Sequence, residues 1–508
     1  MTLAVLDVYA KQLKDNPQDY TVWLNRANEY YRHDEYMKAL YDVEHALEYI
    51  PSKQTADRQR ALMLRANIYI QTNRPEEALA DLNDVITLDC EDFVALYQRA
   101  NTLYALGRYS EAKLDYQRML RLDSRNPEAV VGLARIAVKE NNLGQAEELL
   151  EQAVSLNPNN ADLYVRRASV RYETGNYKEA VADLILALAT DSSNKRATAM
   201  LIECGDANYN ATVSALTDAV MQAPGVDLYP YLRAVIEERN HRYKAALTDY
   251  EALIDHSPQS NRSLWRSMAA CRFALGQFEK ALSAADIALA YDPNDGEAAL
   301  LRARILRAMG KSEEARQQAN TALYLMPDKS KALWVIGLTY VDSHDYTQSA
   351  DLFAEAVAKV EDSSPTQWGF LLEAWVKGSL LNLTDDATDL YDKVANIAAH
   401  NTDSKLARIY GAFGLLFGAR RAKAIAAINT ILSENASNPY INYIGACFYA
   451  QIDDFDKAFE YAKVALETGY ANYYDWAYNN DALLNVAPLR TDLRFINLME
   501  RFKHLWSD

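Results

Sequence analysis

Glycine and proline are scarce in this chain, with 17 and 13 copies among 508 residues. A β-rich fold needs both residue types at its many turns, so their scarcity favours helices joined by short connections. Half of the residues are nevertheless hydrophobic, which is enough to bury a large core. The composition therefore argues against an all-β fold full of turns and for helices with short connections.

Residues that commonly carry chemistry are also few. The four cysteines lie far apart, with no CxxC pair and no histidine at metal-ligand spacing, so we expect them to be small buried apolar residues. The histidines are scattered, and the chain contains no HExxH, Walker, GxGxxG or GxSxG motif. We therefore expect no catalytic residue, no metal site and no cofactor, and the chain is not predicted to be an enzyme.

Long apolar runs are missing as well. None approaches the ~20 residues that span a bilayer, and the opening MTLAVLDVYAKQLKDNP lacks the basic start and pure apolar stretch of a signal peptide. We expect a cytoplasmic protein, or a periplasmic one if a signal peptide has been removed ahead of this sequence. The net charge of −17 disfavours nucleic acid and anionic membranes as partners.

A pattern of small residues, by contrast, recurs about every 34 residues. Each unit has a first small residue and a second one after a break such as ALGRY, ETGNY or ALGQF. Apolar residues recur at spacings of three and four on both sides of the break, which predicts two amphipathic helices per unit. The first small position holds Ala27, Ala66, Ala100, Ala134, Ala168, Ala234, Ala269, Ala303, Gly337, Ala412 and Ala446.

This pattern resembles the tetratricopeptide repeat (TPR) family. About thirteen units cover roughly residues 20–469, and the closing segment 470–508 resembles the capping segment of bacterial members. The resemblance implies an all-α, right-handed superhelical solenoid of antiparallel helix pairs, in which the first helix of each pair lines a concave groove. The signature positions of the first unit hold Trp23, Ala27, Tyr30, Ala39, Val43, Ala46 and Pro51.

Two stretches depart from the repeat. Residues 193–226 are short and lack the early small residue, and the spacing slips in 361–404. We interpret both as degenerate units at which the curvature of the solenoid changes. The other predicted segments are 1–192, with a half-helix cap and units 1–5; 227–360, with units 7–10; 405–469, with units 12–13; and 470–508, with the capping helices.

An arginine in the first helix of several units is matched by an aspartate in the second helix. Where the arginine is absent, the aspartate is absent too, as in the pair Leu133 and Leu149. This covariation within one chain predicts a contact across the helix pair and a structural role for the charges. The charged pairs are Arg26/Asp42, Arg65/Asp81, Arg99/Asp115, Arg167/Asp183 and Arg233/Asp249.

An asparagine follows the first small residue in three units, at Asn28, Asn67 and Asn101. The TPR resemblance places this position on the groove, where an amide offers both a donor and an acceptor to the backbone of an extended peptide. We expect a peptide-binding ladder; the alternative is that these asparagines only face solvent. Residues three and four away share the same face. The tyrosines on that face are Tyr31, Tyr97 and Tyr104.

A second candidate site lies in three later units, where cations and aromatic residues occupy the inward positions. Arginine can form a forked pair with a carboxylate, and tryptophan can stack on arginine. We expect this cluster to bind an acidic segment of a partner protein; the alternative is a set of ordinary solvated arginines. Its members are Arg266, Phe273, Arg304, Arg307, Lys331 and Trp334.

These patterns predict a non-catalytic scaffold or adaptor that binds extended peptide segments of partner proteins, acidic tails among them, in its concave groove. The alternative is a structural, assembly or secretion accessory subunit that uses its convex or edge surfaces. The 34 tyrosines suit both functions, because tyrosine serves protein interfaces well.

Overall fold

The computed structural model describes residues 2–256, 262–358, 364–480 and 483–507. Within these ranges every regular element is a helix. The chain divides into two compact units, Met1–Cys204 (unit 1) and Gly205–Asp508 (unit 2).

Unit 1 consists of antiparallel helix pairs that follow one another along the chain. Its helices are α1 (Thr2–Asp15), α2 (Tyr20–Arg32), α3 (Tyr36–Tyr49), α4 (Thr55–Gln71), α5 (Pro75–Leu88), α6 (Phe93–Ala105), α7 (Tyr109–Leu122), α8 (Pro127–Lys139), α9 (Leu143–Leu156), α10 (Ala161–Glu173) and α11 (Tyr177–Thr190), and the boundary falls within α12 (Lys195–Ala207).

Unit 2 continues the same arrangement and ends in shorter helices. Its helices are α13 (Tyr209–Gln222), α14 (Leu228–Arg239), α15 (Tyr243–His256), α16 (Arg262–Ala274), α17 (Phe278–Tyr291), α18 (Gly296–Ala308), α19 (Ser312–Leu325), α20 (Ser330–Asp342), α21 (Tyr346–Val357), α22 (Ser364–Trp375), α23 (Thr384–His400), α24 (Lys405–Phe417), α25 (Arg421–Glu434), α26 (Pro439–Gln451), α27 (Phe455–Thr468), α28 (Tyr473–Ala477) and α29 (Leu493–Arg501). A π-helix spans Val376–Leu380, and two 3-10 helices span Ala487–Thr491 and Lys503–Leu505.

Local sequence sets where the helices begin. A side chain before the first residue accepts a hydrogen bond from the exposed backbone N–H groups of the first turn, which otherwise have no helical partner. Asn126 accepts from the N–H of Ala129, and Pro127 occupies the first helical position. First helices capped in this way follow Asp19, Asp92, Asn126, Asn160, Asp295, Ser404 and Asn438.

A left-handed residue separates the two helices of most pairs. Glycine adopts this conformation without steric cost, and asparagine and aspartate tolerate it better than other residues. Gly107, in the break ALGRY, has a φ of 75°, and Asn73 has a φ of 57° at the equivalent turn. The sequence breaks are therefore the αL turns that reverse the chain within each pair.

The recurring small residues lie where paired helices approach each other. Ala27 and Ala39 are fully buried, as are their counterparts Ala66 and Ala78. Glycine occupies the first small position at Gly337, where an added Cβ would lie 2.5 Å from the ring of Phe353. A small residue at the first position thus leaves room for a large side chain on the partner helix. This contact explains why the small position and the large position recur together in the repeats.

The predicted contact between the recurring arginine and aspartate is confirmed. In the most buried pair, Arg167 donates two hydrogen bonds to Asp183 at 2.9 and 2.6 Å, and Arg171 donates a third at 2.9 Å. The arginine also reaches the second helix of the preceding pair: Arg99 donates to Asn83 at 2.7 Å. The same two forked hydrogen bonds join Arg26/Asp42, Arg65/Asp81, Arg99/Asp115 and Arg233/Asp249.

The described parts of the two segments that depart from the repeat are helical too; residues 361–363 of the second segment lie outside the described residues. Residues 193–226 contain α12 and α13, whose 13 and 14 residues match the lengths of α10 and α11. In 361–404 the π-helix adds a wider turn after α22, and Leu383 donates its N–H to the carbonyl of Lys377 at 2.7 Å. This π turn shifts the helical register, which accounts for the slipped spacing. The predicted all-α fold of antiparallel helix pairs is confirmed.

Candidate functional site

The three asparagines of the predicted ladder lie in equivalent places on α2, α4 and α6, but their surroundings differ. Asn28 is exposed and donates to the carbonyl of Leu24 in its own helix at 2.9 Å, while Asn67 is half-buried. The Asn101 side-chain oxygen accepts from the Tyr116 hydroxyl at 2.9 Å. Asn28 and Asn67 therefore keep more of their amide hydrogen-bonding capacity than Asn101.

The predicted tyrosines flank this line on the same helices. Tyr31 is half-buried with its ring 5.8 Å from Tyr36, and Tyr97 is 37% exposed. Tyr104 is half-buried against Tyr109, with 5.3 Å between ring centroids. These rings give the face formed by the first helices of unit 1 both apolar area and hydroxyl groups, as binding of a peptide requires.

The structure adds a site that the sequence analysis missed, a basic pocket between α6, α8, α10 and α12. Arg135 lines this pocket, with its guanidinium 4.1 Å from the centroid of the Tyr104 ring and one N–H donating to Asn101 at 3.3 Å. The pocket has a volume of about 260 Å³. Its charged residues are Arg135, Lys139, Arg166, Arg196 and Glu173.

The basic pocket carries more positive than negative charge. Arg166 pairs with Asp162 at 2.5 Å, and Arg196 approaches the same carboxylate at 4.0 Å. Within the described part of unit 1, neither Arg135 nor Lys139 forms an ion pair. Four cations against the carboxylates of Asp162 and Glu173 make this a local positive patch in a chain whose net charge is −17.

A sequence signal for this site existed. Arg135 directly follows the small residue Ala134, so it occupies the position that Asn101 occupies one repeat earlier. Following the asparagine position into the next unit would have found it. The prediction stopped at asparagine because it followed the residue type instead of the position.

The second predicted cluster lies in unit 2, and three of its four cations have carboxylate partners. Arg266 pairs with Asp295 at 2.9 Å, Arg307 with Asp342 at 2.9 Å, and Lys331 approaches Glu297 at 3.7 Å. These partners neutralise most of the positive charge that the sequence suggested. Of the six residues in the cluster, Arg304 and Phe273 remain as an adjacent pair, with the guanidinium 5.3 Å from the centroid of the ring.

The structure covers Phe273 with a distant part of unit 2. The ring of Tyr474 lies 4.4 Å from that of Phe273, and the ring of Tyr478 lies 5.1 Å from Phe278. Arg242 donates to the carbonyl of Thr468 at 3.0 Å. Residues 468–478, which we call the cover segment, therefore lie across the first-helix face of α14 and α16.

Trp334 is half-buried, and its indole N–H lies buried without a hydrogen bond.

Burial also changes the titration of His241, which lies at the turn between α14 and α15. Its ring packs against Tyr470 at 4.8 Å and Tyr440 at 5.6 Å, and a ring nitrogen shares a hydrogen bond with the Tyr243 hydroxyl at 3.0 Å. Loss of solvent lowers the pKa of His241 to about 4. The imidazole is therefore neutral at pH 7 and joins the first repeats of unit 2 to the cover segment.

Acidification is expected to destabilise the packing of His241 against the cover segment. Below pH 6.5 the unfolded chain takes up a proton at His241 that the folded chain refuses until about pH 4. The stability that the neutral ring contributes is thus complete above pH 6.5 and is lost as the pH falls towards 4, by about 2 kcal/mol between pH 7 and 5. Hydrogen exchange at the α14–α15 turn, measured at pH 5, 6 and 7, gives the opening free energy.

His241→Asn supplies the comparison, because asparagine tolerates the φ of 61° at this position. The variant should remove most of the pH dependence at this turn, where the charged groups that face the ring belong to Glu238, Arg239 and Asp475. His344→Asn is the matched control, since His344 has a φ of 62° at an equivalent turn but is exposed. Equal slopes for the wild type and His241→Asn would contradict the assignment.

Across the residues that the structure describes, no three His, Cys, Asp or Glu side chains converge in a way that would hold a metal ion. Over that same part of the chain, no helix combines the length and the apolar character needed to cross a bilayer.

Comparison with known proteins identifies the repeat. A family model described as tetratricopeptide repeat matches residues 103–164, 137–202 and 239–305, and a second model of that description matches 59–90. Among curated proteins, the TPR repeat-containing protein YpiA of Bacillus subtilis is 22% identical over 340 residues, which is 64% of this chain and 77% of YpiA. The DnaJ homolog subfamily C member 7 homolog of Schizosaccharomyces pombe is 29% identical over 148 residues, 26% of this chain. The chain spans only 31% of the length of that second relative.

Solved structures give weaker matches. Yeast Tom70 aligns with 83% of this chain and 98% of its own at 16% identity and a TM-score of 0.37. YrrB, described as a TPR protein with an unusual peptide-binding site, aligns with 37% of this chain and 95% of its own at 21% identity and a TM-score of 0.31. The family-model matches identify tetratricopeptide repeats at residues 59–90, 103–202 and 239–305 of this chain.

Proposed function

We propose that this protein is a non-catalytic interaction scaffold, and that the first-helix face of unit 1 binds extended, acidic segments of partner proteins. TPR proteins are generally protein-interaction scaffolds, and the finer assignment to this face is our own. The observation that carries it is the basic pocket beside the asparagine line. Asn28 and Asn67 offer amides for a peptide backbone, and Arg135 offers a guanidinium already oriented by Tyr104 and Asn101.

Electrostatics favours an acidic partner at this face. The surplus cations Arg135 and Lys139 would find carboxylates on an acidic segment, and charge-assisted hydrogen bonds to arginine are stronger than neutral ones. A chain of net charge −17 repels acidic molecules in general, so a local positive pocket selects where such a segment docks. We therefore expect binding to weaken as salt concentration rises.

Fluorescence anisotropy tests this assignment directly. A labelled, extended peptide rich in glutamate should bind the full-length protein, whereas its glutamine counterpart should bind at least about tenfold more weakly, a difference of about 1.4 kcal/mol. Arg135→Gln should abolish most of that preference. Arg121→Gln, which removes an exposed cation from α7, is the matched control and should leave binding unchanged. Equal affinity for the two peptides would refute the acidic preference.

The asparagine line is tested with the same peptides. The triple variant Asn28→Ala, Asn67→Ala, Asn101→Ala should weaken the binding of both peptides. The double variant Asn28→Ala, Asn67→Ala, which keeps the contact between Asn101 and Arg135, should weaken both by the same factor, because backbone contacts do not depend on peptide charge. Circular dichroism would first confirm that the variant is folded. Capture from native lysate with the wild type and the triple variant would then identify the partners that depend on this face.

A structural or assembly subunit remains the second candidate, and the exposed apolar residues of the second helices favour it. Met37 and Tyr41 on α3 are 71% and 57% exposed, and Leu114 on α7 is 63% exposed. A partner bound there would be retained by the triple asparagine variant and lost on Met37→Lys and Tyr41→Lys substitution.

A further inference from the structure

The cover segment turns the first-helix face of unit 2 into a partly enclosed cavity. Asn472, Tyr474 and Asp475 form one wall, and residues of α14, α15, α16 and α18 form the others. Trp476, on the same segment, is fully buried behind this wall. An extended chain passing along this face would have to displace Tyr474 from Phe273, so the cavity suits a compact ligand.

The cavity has the dimensions and lining of a small-molecule site. Its volume is about 650 Å³, and such sites commonly measure about 300–1,000 Å³. Aromatic rings line it at Phe273, Tyr243, Tyr250 and Tyr474, and polar groups converge among them. A ligand about the size of a dipeptide would be enclosed here with its apolar part against the rings.

Arg304 and Glu238 line this cavity with opposite charges and form no ion pair with each other. Arg304 contacts the Phe273 ring, but no carboxylate of the described residues forms an ion pair with it. Glu238 lines the same cavity and accepts hydrogen bonds from the Tyr250 hydroxyl at 2.8 Å and from Ser267, and it forms no ion pair with any residue that the structure describes. Asp475 adds a second carboxylate, held by hydrogen bonds from Tyr470 and Asn472.

These charges discriminate between classes of ligand. A peptide with several carboxylates would be repelled by Glu238 and Asp475, and a simple cation would leave Arg304 without a counter-charge. The neighbouring cations Arg239 and Arg266 each pair with their own aspartate, and Arg266 also favours the charged form of Glu238. A ligand that carries one carboxylate and one ammonium satisfies both sides of the cavity.

We propose that the unit 2 cavity binds a compact zwitterion, a free dipeptide with an apolar or aromatic side chain. Arg304 would hold the carboxylate through a forked hydrogen bond, and Glu238 would accept hydrogen bonds from the ammonium. The side chain would pack against the rings of Phe273 and Tyr474, which line the cavity side by side. This site lies in a different unit from the basic pocket, so the two proposals stand independently.

The state of Glu238 is consistent with this assignment. Burial raises the pKa of its carboxyl group, because the charged form loses hydration in the cavity. A ligand ammonium beside Glu238 would stabilise the charged form again. Binding of a zwitterion should therefore release a proton from the protein in the pH range in which Glu238 is partly protonated.

The test uses isothermal titration calorimetry on the full-length protein, with alanyl-phenylalanine as the probe. The free dipeptide carries both charges, its N-acetyl form keeps only the carboxylate, and its C-terminal amide keeps only the ammonium. We expect the free dipeptide to bind and each blocked form to bind at least about tenfold more weakly. No heat of binding at millimolar free dipeptide, or equal affinity for all three compounds, would overturn the proposal.

Two substitutions then assign the charges. Arg304→Gln should lower the affinity for the free dipeptide to that for the C-terminal amide, because the carboxylate has lost its partner. Glu238→Gln should lower the affinity for the free dipeptide to that for the N-acetyl form, because the ammonium has lost its partner. Lys280→Gln, an exposed cation of α17 away from the cavity, is the matched control and should bind like the wild type. The ligand series on the wild type remains decisive even if a variant misfolds.

Discussion

Replacing Arg65 with leucine is expected to lower the free energy of unfolding by about 3–5 kcal/mol. The substitution leaves the Asp81 carboxylate, which is only 3% exposed, without the two N–H groups that donate to it at 2.8 and 2.6 Å. An ionised carboxylate in that position has neither water nor a counter-charge. The loss would be measured by urea denaturation of the full-length chain and by hydrogen exchange at α4 and α5.

The converse substitution should cost less. The Arg65 side chain is 25% exposed, so after Asp81→Leu the guanidinium can move towards water along its flexible stem. The bidentate hydrogen bond also raises the pKa of the Arg65 guanidinium, which stays charged in every state considered. We therefore expect Asp81→Leu to be clearly milder than Arg65→Leu.

The double variant Arg65→Leu, Asp81→Leu completes the cycle and should lie within about 1–2 kcal/mol of the wild type. The same substitution already occurs within the chain, because one repeat has leucine at both equivalent positions, Leu133 and Leu149. If the double variant were as unstable as Arg65→Leu, the ion pair would be contributing stability of its own beyond complementing two buried charges.

The sequence predicts features that are local to one repeat. Helix pairs follow from the apolar spacing, and the contact between Arg65 and Asp81 follows from covariation between positions that always face each other across one turn. The carboxylate partners of Arg266 and Arg307 in the second predicted cluster could have been predicted for the same reason. Asp295 lies 29 residues beyond Arg266, and Asp342 lies 35 beyond Arg307. Both are close to one repeat length, so a search at that separation would have found them.

The cover segment lies beyond such reasoning. Its contacts join residues more than 200 positions apart, such as Arg242 and Thr468. Whether these residues meet depends on the rotation added by each repeat between them, and a small error per repeat accumulates along a solenoid. The spacing within one repeat does not determine this accumulated rotation. The sequence could therefore indicate Phe273 and Arg304 as inward residues but could not place Tyr474 over them.

Trp476→Ala is expected to cause the largest loss in unit 2, about 3–5 kcal/mol. Trp476 is fully buried, its indole N–H donates to the carbonyl of Tyr470 at 3.1 Å, and its ring lies edge-on to Tyr443 at 4.9 Å. Alanine would leave a cavity and an unpaired carbonyl under the cover segment. Because Tyr474 is only two residues away, its contact with Phe273 should loosen as well.

Hydrogen exchange separates this local effect from general destabilisation. In Trp476→Ala, protection should fall first in 468–478 and in α14 and α16, which the cover segment contacts. Trp368→Ala is the matched control, since Trp368 is half-buried against Tyr410, with 5.5 Å between their rings. It should lower protection in α22 and α24 without exposing the cavity. If Trp476→Ala instead left α14 and α16 fully protected, the first-helix face of unit 2 would be held by its own repeats, and the cover segment would only rest on it.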